Sequence, residues 1–280
     1  MIDLHSHILP GLDDGAANLA MSVAMARAYV AQGVECVACT PHILPGLYHN
    51  SGPQIRADLR KLQQHLNSAE IPLRLVTGAD NHMVQNFVTK LRCGQLLTLA
   101  DSRYVLLEPP HHLAPPQLEN LCFDVLAASY VPILTHPERL TWIEGSYHKI
   151  QRLAERGVWM QITAGSLLGR FGKRARYWGE RMLSEGLVQI LATDAHDISR
   201  RPPDLLQGRR AAEKLIGAQN SEYLVATHPM IVLSNSSPKD CTPLQEWNAS
   251  DYGRGSNDYA EIYNVRSGRN FVKRLRRFFA

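Results

Sequence analysis

Short runs of apolar, β-branched residues recur along the first 230 positions, each followed by a longer stretch of helical period. Runs of this kind at 2–5, 34–40, 73–78, 104–108, 131–135, 158–162 and 188–192 read as seven strands. Segments at 18–31, 54–69, 116–129 and 143–156 read as helices, and Gly33 and Gly157 stand where a helix takes a residue of positive φ to stop. Alternation of this type builds a parallel sheet covered by its own crossover helices. The expected fold is α/β, a closed TIM-like (β/α)7 barrel spanning 1–233.

The pattern changes beyond 233. Residues 234–280 are first rich in Asn, Ser, Gly and Tyr and then basic, which reads as a solvated, partly disordered extension. Its last turns offer an alternative, a basic amphipathic helix resting on an acidic membrane surface or a partner. The net charge of +4 sits there: Arg266, Arg269, Lys273, Arg274, Arg276 and Arg277 face the single acid Glu261, so the other 260 residues sum to −1. The body of the chain therefore carries no signal for nucleic acid.

An apolar fraction of 45% and a charged fraction of 20% are ordinary for a soluble protein, and no apolar stretch approaches the ~20 residues of a membrane span. The start, Met1-Ile2-Asp3-Leu4-His5, lacks the blocks of a secretory signal. Five scattered cysteines argue against a disulfide scaffold, so the expected location is cytoplasmic. Cys36-Val37-Ala38-Cys39 has the spacing of a metal or redox pair, but its apolar surroundings make it a buried strand.

Polar clusters stand where the predicted strands end: His5-Ser6-His7, Thr40-Pro41-His42, Gly78-Ala79-Asp80, Glu108, His136-Pro137-Glu138-Arg139 and Asp194-Ala195-His196. In a parallel barrel these ends share one mouth, so residues 190 positions apart converge. Side chains alternate along a strand, so His5 and His7 project to one face, and the same two-residue step recurs at Asp194 and His196. Imidazoles and carboxylates without a convincing thiolate suit Mn²⁺, Fe²⁺ or Zn²⁺, and shared carboxylates point to more than one ion. Such an array performs phosphoryl chemistry, and Arg139 and Arg201 offer forks for a phosphate, whereas Arg200 reads as surface. The thiol-based phosphatase pattern needs an arginine six positions after a cysteine, and those positions hold His42, Pro45, Leu99, Ala128 and Trp247. Neither a phosphate-binding loop of the Walker type nor a Gly-x-Ser-x-Gly elbow is present.

Through these residues the chain resembles the polymerase-and-histidinol-phosphatase (PHP) superfamily, and within it the bacterial manganese-dependent tyrosine-protein phosphatases of capsule and exopolysaccharide biosynthesis. The segment His5-Ser6-His7-Ile8-Leu9-Pro10-Gly11-Leu12-Asp13-Asp14-Gly15 carries the resemblance, followed in order by the clusters at His42, His136 and Asp194. The resemblance implies a distorted barrel and a two- or three-ion site with ligands His5, His7, Asp14, His42, Asp80, Glu108, His136, Asp194 and His196. It implies Arg139 and Arg201 as phosphate-holding residues, with His42 also in the catalytic set, and attack by a metal-bridging hydroxide on a phosphotyrosine. The implied partner is a bacterial tyrosine kinase with a phosphorylated tail, met in the cytoplasm or at the inner face of the membrane; an oligomer is compatible with it. One position departs from the family: Asp80 stands where a glutamate bridges two ions, and His82, two residues on, is placed to assist. A small-molecule phosphoesterase such as a histidinol phosphatase, and an inactive metal-binding regulatory module, are the alternatives.

Overall fold

The structure, a computed structural model, describes residues 1–244. The basic end and most of the expected extension lie outside the described residues. The strands are β1 (Ile2–Ser6), β2 (Cys36–Cys39), β3 (His42–Ile43), β4 (Arg74–Thr77), β5 (Asp80–His82), β6 (Tyr104–Glu108), β7 (Val131–Thr135), β8 (Trp159–Thr163) and β9 (Ile190–Ala192). They pair in parallel, in the orders β1-β2-β4 and β3-β5-β6-β7-β8-β9.

Seven predicted strands become nine because the chain, after one break each, pairs again just past the predicted ends of the second and third. Pro41 has no N–H to give a ladder, so pairing stops before it and resumes as β3. At Gly78, between β4 and β5, a Cβ would lie 2.9 Å from both Leu99 Cδ2 and Thr40 Cγ2, so a side chain there would have to push these methyls aside. Past these breaks β3 and β5 join the larger sheet. The ring closes between the first and last strands, where Ser6 bridges Ala195, Asp194 N donates to His5 O and His7 N donates to Ala195 O, both at 2.9 Å. The result is a distorted (β/α)7 barrel.

The predicted helices form as α1 (Leu19–Ala31), α2 (Gly52–Ser68), α4 (Leu118–Ala127) and α5 (Ile143–Glu155), joined by α3 (Phe87–Arg92), α6 (Ala164–Leu167), α7 (Gly172–Ser184), α8 (Leu205–Glu222) and α9 (His228–Leu233). Asn18 caps α1 by accepting from Met21 N, and Gly33 and Gly157 take φ of 78° and 94° beyond α1 and α5. Two buried clusters separate the faces of the barrel. Val37, Leu75, Val105, Leu134 and Met160 pack against the helices, whereas Leu4, Ala38, Leu106, Ile133, Trp159 and Ala192 pack with one another over Ile231 and Val232 of α9. Cys36 and Cys39 are free and buried, and burial pushes the Cys36 thiol up to about 11, as core residues require.

Asp3 holds the closing seam. Wholly buried, it accepts from Tyr29 Oη of α1 at 2.8 Å, from Thr193 N at 3.1 Å and from Thr193 Oγ1. Residues after α9 return to the barrel: Arg103 N donates to Asn235 Oδ1 at 2.9 Å, Tyr104 Oη to Ser236 O at 3.0 Å, and His228 lies between the carbonyls of Gln189 and Thr242.

Candidate metal centre

Register sets the site. The ladders place His42 beside Asp80 and His82 beside Glu108, at the C-terminal ends of the strands. All nine residues that the sequence nominates as ligands converge there. His5 Nε2 lies 3.4 Å from Asp80 Oδ2 and 3.4 Å from Asp194 Oδ1, and His7 Nε2 lies 3.2 Å from Asp194 Oδ1. His42 Nε2 and His196 Nε2 face Asp14 Oδ1 at 3.6 and 3.4 Å. His42 Nδ1 faces Glu108 Oε2 at 3.2 Å, and His136 Nε2 faces Glu108 Oε1 at 3.6 Å and Asp80 Oδ2 at 3.9 Å. Sets such as His7-Asp14-His42-His196 and His5-His136-Asp194 have their donor atoms within 4.8 Å of one another.

Surrounding groups aim these donors. His5 Nδ1 is held by Gln161 Oε1 at 2.9 Å, His7 Nδ1 by Asp13 Oδ2 at 2.7 Å and His196 Nδ1 by Asp194 O at 3.0 Å, which leaves each Nε2 turned inward. Asp13 also accepts from His42 N and Gly15 N, both at 2.9 Å, and so ties three parts of the site. His136 and Asp194 adopt φ of 34° and 52°, uncommon for such residues, as the chain turns sharply at the ends of β7 and β9.

The electrostatics divide the histidines. Burial opposes a proton on His5, but Asp194 and Asp80 outweigh it and push the ring up to about 9. The same contest, won by Glu108 and Asp80, takes His42 up to about 10. Burial with the Arg139 charge holds His136 down to about 4, and burial with His7 holds His196 down to about 4. Despite burial, Asp14, Asp80, Glu108 and Asp194 lie below the usual carboxylate range because imidazoles, and for Asp194 also two guanidinium groups, surround them.

Arg139 Nη1 donates to Asp194 Oδ2 at 2.5 Å, and Arg201 Nη2 donates to the same oxygen. The Arg139 guanidinium sits 4.2 Å over the Phe171 ring, which braces it from the far side. Asp197 Oδ1 accepts from Ser199 N and Arg200 N, a turn that presents Arg201 inward and leaves Arg200 exposed. The sequence reading missed Asp13, Gln161, His111 and Phe171. Asp13 lay within the quoted motif, adjacent to Asp14; the other three carry no spacing signal.

The donor set fits cations. Both Asp80 oxygens, Glu108 Oε2, His136 Nδ1 and His196 Nε2 are buried without a hydrogen-bond partner among the described residues. Carboxylate oxygens facing inward-turned imidazole nitrogens leave lone pairs that cations satisfy.

Comparison with known proteins decides the family. The model for capsular polysaccharide synthesis, CpsB/CapC, matches residues 1–234. The chain belongs to the CpsB/CapC family. Among CpsB/CapC relatives, tyrosine-protein phosphatase YwqE of Bacillus subtilis (strain 168) is 34% identical over 235 residues, covering 84% of this chain and 92% of its own. Tyrosine-protein phosphatase CpsB of Streptococcus pneumoniae is 27% identical over 242 residues, covering 83% of this chain and 98% of its own. A crystal structure from work on Bacillus subtilis YwqE and Streptococcus pneumoniae CpsB, described as unique metal-dependent tyrosine phosphatases, matches with a TM-score of 0.81 at 33% identity, covering 88% of this chain and 100% of that one. A β-aspartyl dipeptidase from Fervidobacterium islandicum, at 13% identity, covers 83% of this chain and 72% of its own with a TM-score of 0.52, a likeness of fold alone.

Proposed function

We propose that this CpsB/CapC protein is a metal-dependent phosphotyrosine-protein phosphatase whose ligands are His5, His7, Asp14, His42, Asp80, Glu108, His136, Asp194 and His196. The observation that carries the reading is the meeting of these nine side chains with Arg139 and Arg201 at one mouth. Cations held by these ligands, Mn²⁺ first and Fe²⁺ or Zn²⁺ next, would supply neutralisation of phosphate oxygens and a water of lowered pKa. Arg139 and Arg201 each use one N–H on Asp194, and Arg201 Nη1 also faces Asp14 Oδ2 at 3.9 Å, so a phosphate entering between them would take the other donors of the two forks. His42, turned between Asp14 and Glu108, sets the spacing of the two ends of the site.

The rim favours a peptide over a metabolite. Leu47, Leu113 and Ile198 are 63%, 72% and 50% exposed in the loops that follow β3, β6 and β9, at the end of the barrel where the ligands lie. Tyr48 stacks on His42 with centroids 5.5 Å apart and planes 14° from parallel, adding an aromatic wall beside the site. These apolar footholds suit residues flanking a phosphotyrosine. The substrate is then the phosphorylated tail of a bacterial tyrosine kinase of capsule biosynthesis, met in the cytoplasm, with the barrel of 1–233 as the catalytic unit and 234–280 as an extension near the membrane surface. No helix among the described residues is long and apolar enough to cross a membrane.

Metal-loaded protein assayed on matched phosphotyrosine and phosphoserine peptides and on histidinol phosphate tests this reading. Preference for phosphotyrosine by kcat/KM supports it. Equal or better turnover of histidinol phosphate overturns the protein substrate, and no chelator-sensitive turnover of any of them overturns the enzyme.

A further inference from the structure

Asp80 opens β5 and His82 ends it, so both side chains leave the strand on one face, the arrangement seen at His5 and His7. Asn81 turns the other way, and its amide donates to the carbonyls of Ala79, Leu97 and Leu106 at 3.0, 2.9 and 3.1 Å. These bonds fix the roll of the strand and hold His82 toward the site. His82 Nε2 meets Glu108 Oε2 and lies 3.3 Å from His42 Nδ1.

The other oxygen of Glu108 has its own pair. His111 Nε2 lies 3.1 Å from Oε1, where His136 Nε2 stands at 3.6 Å. His111 rides on a loop that is tied down: Thr141 N and Oγ1 donate to its carbonyl at 3.0 and 2.9 Å, and Trp142 Nε1 donates to Pro110 O at 2.9 Å. Four imidazoles thus surround one carboxylate that is 3% exposed, and the donor atoms of His42-His82-Glu108 and of Glu108-His111-His136 lie within 4.8 Å of one another.

Two carboxylate oxygens thus meet four ring nitrogens, two on each side, in groupings with the reach of metal-binding sets. Glu108 Oε2 is buried, and its close contact with His82 Nε2 lacks the alignment of a hydrogen bond. A cation on each side would satisfy the nitrogens and the oxygen that face one another there. We propose that Glu108 bridges two divalent cations, one held with His82 and the other with His111 and His136, so that His82 and His111 are metal ligands. The inference rests on the reading of Glu108 and His136 as ligands and extends it.

The need for them follows from Asp80 and His42. Asp80 is one methylene shorter than a glutamate, and its single Oδ2 is spread over His5 Nε2 at 3.4 Å, His42 Nδ1 at 3.5 Å and His136 Nε2 at 3.9 Å, so it serves none of them at ligand range alone. His42 has Nε2 toward Asp14 at 3.6 Å and Nδ1 toward Glu108 at 3.2 Å, but a neutral ring has one free lone pair. Whenever His42 serves Asp14, His82 supplies the nitrogen beside Glu108. A donor set of two or more nitrogens and a shared carboxylate suits Mn²⁺, Fe²⁺ or Zn²⁺.

The test counts ions on the full chain after dialysis against fixed free Mn²⁺, by elemental analysis and by the EPR signal of unbound Mn²⁺. His82→Gln and His111→Gln are compared with His112→Gln, an exposed neighbour, with His136→Ala, and with His82→Gln in an Asp80→Glu background; far-UV circular dichroism of each metal-free protein checks the fold. Both ring positions are part-exposed, at 16% and 28% of the side chain, so Gln is accommodated. The expected result is loss of one ion, or at least tenfold weaker binding of it, in His82→Gln and His111→Gln, no change in His112→Gln, and recovery of most of the His82→Gln loss by Asp80→Glu. Unchanged counts in His82→Gln and His111→Gln with metal still lost in His136→Ala overturn the extended centre and leave the ligand reading standing. Unchanged counts in all of them overturn both.

Discussion

Loading the metal-free protein with Mn²⁺ at about pH 7.5 should expel about two protons from the site, because the structure leaves His5 and His42 charged and His136 and His196 neutral. A ligating imidazole must be neutral. Deprotonating His5, at about 9, then costs roughly 2 kcal/mol at that pH, and His42, at about 10, roughly 3.5 kcal/mol, taking about 1.4 kcal/mol per pH unit. Both pKa values are raised, so the proton competes most strongly at low pH and the competition fades as pH rises through about 9 and about 10. The combined apparent affinity of the ions that take these two rings should therefore climb about 100-fold per pH unit between about 7 and 8.5. Isothermal titration of Mn²⁺ into metal-free protein, in buffers of different ionisation enthalpy, gives the proton count as the slope of heat against buffer enthalpy. A slope near zero, or near four, refutes the division. By the same linkage, the two charged rings stabilise the metal-free fold fully below about 6.5, and that contribution is lost as pH rises through 9 and 10, so its melting temperature should fall there.

Three further outcomes follow. Arg139→Ala should lower kcat/KM for a phosphotyrosine peptide by roughly 10²–10³-fold while leaving ions per chain unchanged, whereas His136→Ala should lose both; equal metal loss in the two would contradict their roles. Tyr29→Phe removes a donor from wholly buried Asp3 and should cost about 1–3 kcal/mol in denaturant unfolding of the metal-loaded protein, against no change if the seam does not depend on it. Removing residues 261–280 should leave hydrolysis of an aryl phosphate within about twofold, and a large loss would show that this end belongs to the catalytic fold.

Most of the barrel was legible because the seven predicted strands are apolar runs and helices such as α1 and α5 stop at a glycine, signals local to the chain. The breaks after Cys39 and Thr77 were not, since alternation marks which face a residue takes and not where a ladder loses its partner; Pro41 and Gly78 do that through geometry with Ser6, Thr40 and Leu99. The ligand cluster was legible for a different reason: polar residues at apolar strand ends have no other use for their charge. His82 shows the limit. Its step of two from Asp80 is the step that marked His5-His7 and Asp194-His196, yet its value depends on the ladder partner Glu108, which no local pattern reveals. His111 lies in a proline-flanked loop without periodicity, and Asp13 and Gln161 act through rings that carry the metal-facing nitrogen, so their parts emerge from the folded arrangement alone.

Closure of the ring at Ser6 and Ala195 has a consequence for how activity is acquired. His5 and His7 lie nearly 190 positions from Asp194 and His196 in the sequence, yet they meet across the seam. A growing chain thus lacks the full ion-binding set until the last strand docks against the first. Competence therefore hangs on that one docking step, and an ion that grips both sides of the seam would fasten the barrel shut.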